Sequence, residues 1–249
     1  MTTTNSHTRS RGGLLAVLTA ALLITGCASP RADITSRDPF ERWNRGVNEF
    51  NENIDSLVLK PVAIGYKEVV PPMARTGVSN FFGNLGDLWS FVNSALQFKW
   101  QNAAENFMRV NVNTFFGLGG VLDVASELNI DRHREDFGQT LGRWGVPAGP
   151  YVVLPFLGPS TVRDTLALPV DRRGDPVQDI TPQASRNATY VLRAVDIRAN
   201  LLRAGAVLDE AALDKYSFQR DAYLQRRRAE IFDGNVPDPA EKPEKLDKK

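Results

Sequence analysis

The chain has 249 residues, 42% of them hydrophobic and 24% charged, with 30 Lys and Arg against 29 Asp and Glu and a net charge of +1. That composition excludes collagen-like and wholly disordered chains, and the even balance leaves no basic excess for a nucleic-acid backbone. One Cys excludes an internal disulfide and a Cys-based zinc site, and two His leave little for metal or acid–base chemistry.

The first eleven residues carry Arg9 and Arg11 and no acid, and Leu14–Ile24 is a short apolar run. A basic start, a short apolar stretch and small residues before a cleavage point predict a secretory signal over residues 1–26. The run is shorter than an ordinary membrane-spanning helix. Ile24-Thr25-Gly26-Cys27 resembles a bacterial lipobox, which makes Cys27 the acylated first residue of the mature protein. Ala28 in place of Asp favours, by resemblance to enterobacterial sorting, the outer membrane. Several acyl chains anchor stably where one is marginal. Removal of residues 1–26 leaves 28 of the 30 basic side chains against 29 acidic ones, and His133 as the single His.

Residues 27–37 read as a lipidated tether. Asp38-Pro39 then predicts an N-cap and first-turn proline. Phe40, Trp43, Val47, Phe50, Ile54 and Leu57 follow as one helical stripe, with Asn44, Asn48, Asn51 and Asn53 off it. The plain expectation is an amphipathic helix with the apolar stripe on a core. Pro61 and Pro71-Pro72 bracket a short segment of one or two helical turns. Thr76–Gln97 is helical, apolar on more than one face as in a deeply buried or lipid-facing helix, and broken by Gly83 and Gly86. Trp100–Phe116 is a cleaner amphipath, with Phe107, Met108, Val110, Val112 and Phe115 opposite Asn102, Asn106, Arg109 and Asn113.

From Gly142 to Ser160 the only formal charge is Arg143. The glycines and prolines there forbid a long helix. The segment reads as a hairpin, either buried or at membrane depth, where irregular backbone needs protein or a water-filled cavity to satisfy it. Pro159-Ser160 opens another helix, Ala184–Leu208 is long, and Asp209–Phe232 is the last. Arg186, Arg193, Arg198 and Arg203 form a solvated face or meet lipid head groups. The folded region is 38–232, and 233–249 reads as a disordered tail.

The search for chemistry is mostly negative. No GxSxG, GxxxxGK[ST] or HExxH pattern occurs. Gly117-Leu118-Gly119-Gly120 lacks both a preceding strand and full dinucleotide spacing. His133, in Asp131-Arg132-His133-Arg134-Glu135-Asp136, reads as a solvated loop histidine.

Phe137-Gly138-Gln139-Thr140-Leu141-Gly142-Arg143-Trp144-Gly145-Val146-Pro147-Ala148-Gly149-Pro150-Tyr151, continued by Val153-Leu154-Pro155-Phe156-Leu157-Gly158-Pro159-Ser160 and Arg163-Asp164, strongly resembles the signature of the MlaA/VacJ lipoprotein family. Asp38-Pro39-Phe40-Glu41, Asn44-Arg45, Phe50-Asn51 and Asp55 fit its opening helix. Ser79-Asn80-Phe81, Asn84-Leu85, Asn93 and Asn113-Thr114 fit further on. Trp43 and Asn48 replace more usual aromatic residues of the family.

The resemblance implies an all-α, ring-like assembly lying in the inner leaflet of the outer membrane, often beside a trimeric porin. A glycine-rich hairpin then sits at a central channel. Such a protein takes mislocalised phospholipid from the outer leaflet and passes it to a soluble periplasmic lipid carrier, with no cofactor, metal or catalytic residue. Gly138, Gly142, Arg143, Gly145 and Gly149 become channel or hinge candidates, with Gly142 and Gly145 favoured as the gate. Trp144, Tyr151, Val153, Leu154, Phe156 and Leu157 become candidate membrane-facing side chains. The competing readings are a lipoprotein phospholipase and a structural envelope lipoprotein.

Overall fold

The structure, a computed structural model, describes residues 38–212 and 214–236. The signal segment, Cys27 and the tether lie outside the described residues. Helix α1 spans Glu41–Ile54 and runs through a π-helical turn, Asp55–Leu59, into α2, Lys60–Val69. The first helix therefore starts slightly later than Asp38-Pro39 suggests, with Phe40 at its N-cap position. Pro61 does not isolate a short segment. The wider turn lets the Lys60 N–H reach back to the Asp55 carbonyl, so the helix continues past a residue that has no N–H to donate.

Helix α3, Pro72–Leu96, and α4, Trp100–Phe115, form an antiparallel pair. Gly83 and Gly86 do not break α3, contrary to the sequence expectation. A Cβ on Gly83 would come within 2.8 Å of the Arg132 guanidinium, so this glycine is a place of close approach inside a continuous helix. Two short helices follow, α5 at Val124–Glu127 and α6 at Phe137–Arg143, each opened by an Asp (Asp123, Asp136) whose carboxylate accepts a backbone N–H of the first turn.

The strands are β1, Tyr151–Leu154, and β2, Gly158–Thr161, an antiparallel hairpin pairing Tyr151 with Thr161 and Leu154 with Gly158. Thr161 caps α7, Val162–Gly174. A 3-10 turn at Pro176–Asp179 leads to α8, Gln183–Ala211, which lies against α2 and α3. The last helix is α9, Lys215–Ile231. Asp233, expected to open a disordered tail, instead holds Lys99 at 2.7 Å, so the folded body reaches past residue 232.

The described residues form a mostly helical body whose inside is polar. Twenty polar or charged side chains are buried against thirteen apolar ones. In α4 the buried face is Ala103, Asn106, Arg109 and Asn113, while Trp100, Phe107, Met108 and Phe115 are exposed. In α3 the buried set includes Asn84, Asp87, Ser90, Asn93 and Ser94, with Leu88 and Leu96 outside. In α1, Asn44 and Asn48 are buried while Trp43, Phe50 and, beyond it, Leu57 face out. The sequence stripes are real, but they face the opposite way from the expectation of a helix on an apolar core. No described helix is long and apolar enough to cross a membrane.

Candidate functional site

A polar interior requires partners for every buried group, and asparagines supply many of them. Asn44 donates to the Tyr151 carbonyl at 3.1 Å and accepts from the Val153 N–H at 2.8 Å. Asn51 repeats this one step along, donating to the Leu154 carbonyl at 3.0 Å and accepting from the Phe156 N–H at 2.8 Å. Asn106 likewise bonds both the carbonyl and the N–H of His133, at 2.9 and 3.2 Å. Each amide replaces the peptide partner that an irregular or two-stranded backbone lacks. The off-stripe asparagines of the sequence are therefore what fastens hairpin and loop to the helices.

Ion pairs hold many of the others. Arg109, 1% exposed, bonds Asp87 at 3.3 Å, Asp123 at 2.6 Å, Ser126 at 3.2 Å and the Ile130 carbonyl at 2.5 Å. Burial pushes the Asp87 carboxyl up, against the pull of Arg132 and Arg109. Burial also opposes ionisation of Asp123, but hydrogen bonds from Ser126, Asn113 and Arg109 outweigh it and hold that carboxyl at about 2. Arg227 of α9 reaches Asp136 at 2.7 Å and Asp164 at 3.1 Å, joining α9 to α6 and α7. Burial works against its charge, yet these two carboxylates keep it protonated well above the usual range. Lys99 holds Glu135 at 2.8 Å, and Gln97 donates to the same carboxylate at 2.9 Å.

Helices α3, α6, α7, α8 and α9 surround a cavity of about 570 Å³. Gly83, Gly86 and Asp87 contribute from α3, Arg134, Glu135, Asp136 and Gln139 from the segment entering α6, and Asp171 from α7. Arg193, Asp196 and Asn200 come from α8, and Arg227 and Glu230 from α9. A Cβ on Gly86 would meet nothing within 4 Å, so the missing side chain leaves room at the cavity wall. Trp89 donates its indole N–H to Asp171 at 2.8 Å, beside the Phe137 N–H at 2.8 Å. Among the described residues no group of three His, Cys, Asp or Glu side chains is placed to hold a metal ion.

None of the five hinge candidates lines this cavity, although Gly138 lies in the same turn as Asp136 and Gln139, which do. Gly138 and Gly142 belong to helix α6 and not to a hairpin. A Cβ on Gly138 would come within 2.6 Å of the Asp164 carboxylate, and one on Gly142 within 2.7 Å of Arg163. Gly145, at φ +88°, ends the helix: its N–H bonds the Gly142 carbonyl and that of Val146 bonds Leu141. Gly149 also has positive φ, +70°. Arg143 is exposed in the last turn of α6.

Two of the membrane-facing candidates are misplaced. Tyr151 and Val153 are buried, because β1 turns them onto Val47 and Tyr216 in a small apolar core that Tyr223 and Leu224 complete. Leu154 is half-buried. Trp144, Phe156 and Leu157 are exposed, with Phe156 at the hairpin tip edge-on to Phe50 (centroids 5.4 Å apart). His133 is not a freely solvated loop side chain; its Nε2 lies 2.5 Å from Glu105.

The cavity residues were missed in the sequence because positions 87, 134, 171, 196 and 227 share no motif and meet only in the fold. The one available signal was polar residues at helical spacing in α3 and α4.

A family model described as MlaA lipoprotein matches residues 36–230. Proteins named intermembrane phospholipid transport system lipoprotein MlaA, from Shigella flexneri and from Escherichia coli strain K12, are each 36% identical over 241 residues, covering 92% of this chain and 92% of their own. The protein of that name from Haemophilus influenzae is 36% identical over 231 residues, covering 90% of this chain and 92% of its own. A solved chain from work on the structural basis for maintenance of bacterial outer membrane lipid asymmetry is similar with a TM-score of 0.65 at 35% identity, covering 80% of this chain and 100% of that one.

Proposed function

The chain belongs to the MlaA lipoprotein family, and from that premise we propose that it removes mislocalised phospholipid from the outer leaflet of the outer membrane and passes it to a soluble periplasmic carrier. One observation carries the reading: a charge-lined cavity of about 570 Å³ in a body that exposes many large apolar side chains and whose described helices do not span a bilayer. Large exposed apolar surface marks a membrane or protein contact. A monotopic position, with Leu57, Phe115 and Phe116 among the outward side chains, puts that surface in lipid. Drawing acyl tails into water costs about 0.8 kcal/mol per CH₂. A protein that keeps tails against apolar surface while the head group crosses a polar cavity lowers that barrier without chemistry.

The lipobox-like Ile24–Cys27 supports acylation of Cys27 after removal of residues 1–26, with the mature protein held at the periplasmic face of the outer membrane. A trimeric porin is the neighbour that the family resemblance implies, and the apolar exterior offers it a surface. Of the hinge candidates, the close packing of Gly138 and Gly142 supports a structural role. Gly145 and Gly149, on the segment joining α6 to β1, are the pair suited to gating.

The test is outer-leaflet phospholipid in a strain lacking the protein. It should rise on deletion and return to normal with the wild-type gene. Gly86→Phe should reach normal abundance yet fail to restore asymmetry, because the added ring fills the cavity wall and the substitution removes a helix-interior glycine. Normal outer-leaflet lipid in the deletion strain would instead favour a structural lipoprotein. Fatty acid released by the purified protein would favour a phospholipase.

A further inference from the structure

The charges around the cavity do not balance. Seven acidic and four basic side chains line it. Five of the acids have a cation within ion-pair distance: Asp87 with Arg132 at 3.0 Å, Glu135 with Lys99 at 2.8 Å, Asp136 with Arg227 at 2.7 Å, Asp175 with Arg193 at 2.8 Å, and Glu230 with Arg226 at 3.3 Å. Arg134, Asp171 and Asp196 are left with no ion pair among the described residues. Asp171 is capped by the Trp89 and Phe137 N–H groups, and burial pushes its carboxyl up, towards the neutral form.

Asp196 is different. It is 3% exposed and its two oxygens accept only from neutral donors: Tyr66 Oη at 3.2 Å, Ser79 Oγ at 2.7 Å and Asn200 Nδ2 at 3.4 Å. Neutral donors stabilise a carboxylate without cancelling its charge, so its field acts on the cavity. Arg134 is exposed to the same space with its guanidinium unengaged. An unpaired cation and an unpaired anion facing one cavity are complementary to a head group that carries a phosphate and an ammonium.

We propose that the cavity selects phospholipid by head group, taking zwitterionic phosphate–ammonium heads in preference to anionic ones, with Arg134 contacting the phosphate and Asp196 the ammonium. This rests on the transport reading above and adds its substrate class. An anionic head satisfies Arg134 equally but leaves Asp196 uncompensated and adds negative charge to an acid-rich lining, which is discrimination by repulsion as well as by attraction.

The full-length lipoprotein in detergent, exchanged against vesicles of equimolar phosphatidylethanolamine and phosphatidylglycerol, tests this through the lipid that copurifies. The wild type should retain phosphatidylethanolamine in about threefold to tenfold excess, the span of one ordinary net hydrogen bond. Asp196→Asn should bring the ratio near unity with total lipid retained, and Arg134→Gln should lower both lipids alike. Because Asp196 also ties α2 and α3 to α8, Asn200→Lys, at an exposed position on the cavity, is the second variant; its ammonium beside Asp196 should turn the preference towards phosphatidylglycerol. Equal retention by the wild type, or a ratio unmoved by both Asp196→Asn and Asn200→Lys, overturns the head-group proposal alone. Absence of either lipid from the wild type overturns the transport reading with it.

Discussion

The α3–α4 pair and the β-hairpin are stabilised in opposite ways. Between α3 and α4 the buried side chains include Asp87, Asn106, Arg109 and Asn113, and the aromatic residues of α4, Trp100, Phe107 and Phe115, face out. Around the hairpin, Val153 and Tyr151 sit on Val47 and Tyr216 as in an ordinary water-soluble domain. Burial of apolar area drives folding only where the outside is water. On the membrane position proposed above, the exposed apolar side chains of α3 and α4 meet lipid, whereas the small apolar core under the hairpin is of the kind that water stabilises. In lipid, specificity and cohesion fall to hydrogen bonds and ion pairs, because an apolar side chain gains nothing by turning inward.

Breaking the polar side of this comparison should have the largest effect. Arg109→Ala leaves Asp87 and Asp123 buried without their shared cation and frees the Ile130 carbonyl. A loss of about 3–5 kcal/mol is expected, read as a collapse in folded protein by thermal melting in detergent. On the apolar side, Val153→Ala removes two carbons from a fully buried position and should lower stability by about 2 kcal/mol, measurable by the same melt.

Acid should sharpen the contrast further. Asp123 is held at about 2, below its ordinary 3.8, so its contribution is complete above about pH 3.8 and is lost as the pH falls through about 2. Asp87 and Glu135 shift the other way, above their ordinary 3.8 and 4.5, so they take up protons at a higher pH than Asp123 does, and that protonation relieves the burial of their charge. Asp123→Asn should therefore flatten the acid limb of a stability–pH curve, whereas Asp87→Asn should not. The smallest expected effect is at the outside. Phe115→Ser with Phe116→Ser should leave the melting temperature in detergent within a degree or two, since both rings are already exposed. In a Cys27→Ala background the pair should release protein from membranes in a flotation assay. A large loss of melting temperature instead would place those rings in a protein core.

Helix positions were largely legible in the sequence, because period and capping residues are local. Which way each stripe faced was not. Periodicity distinguishes two faces without saying which solvent each one meets, so Trp43 and Asn44 exchanged expected places. Pro61, Gly83 and Gly86 misled for a related reason: their local penalties are small beside what the fold gains from a π-turn and from close passage of Arg132. The lining of the cavity, assembled from distant positions, carried no local mark at all.

Asn44 and Asn51 have a consequence beyond fastening. A two-stranded ribbon offers its outer strand as a template to any other extended chain. Here the outward N–H groups of Val153 and Phe156 and the carbonyls of Tyr151 and Leu154 are already occupied by helix side chains. On its β1 edge the hairpin cannot recruit a further strand without first losing both amides. A chain with so many exposed large apolar side chains thus keeps the β1 edge of its sheet closed to aggregation.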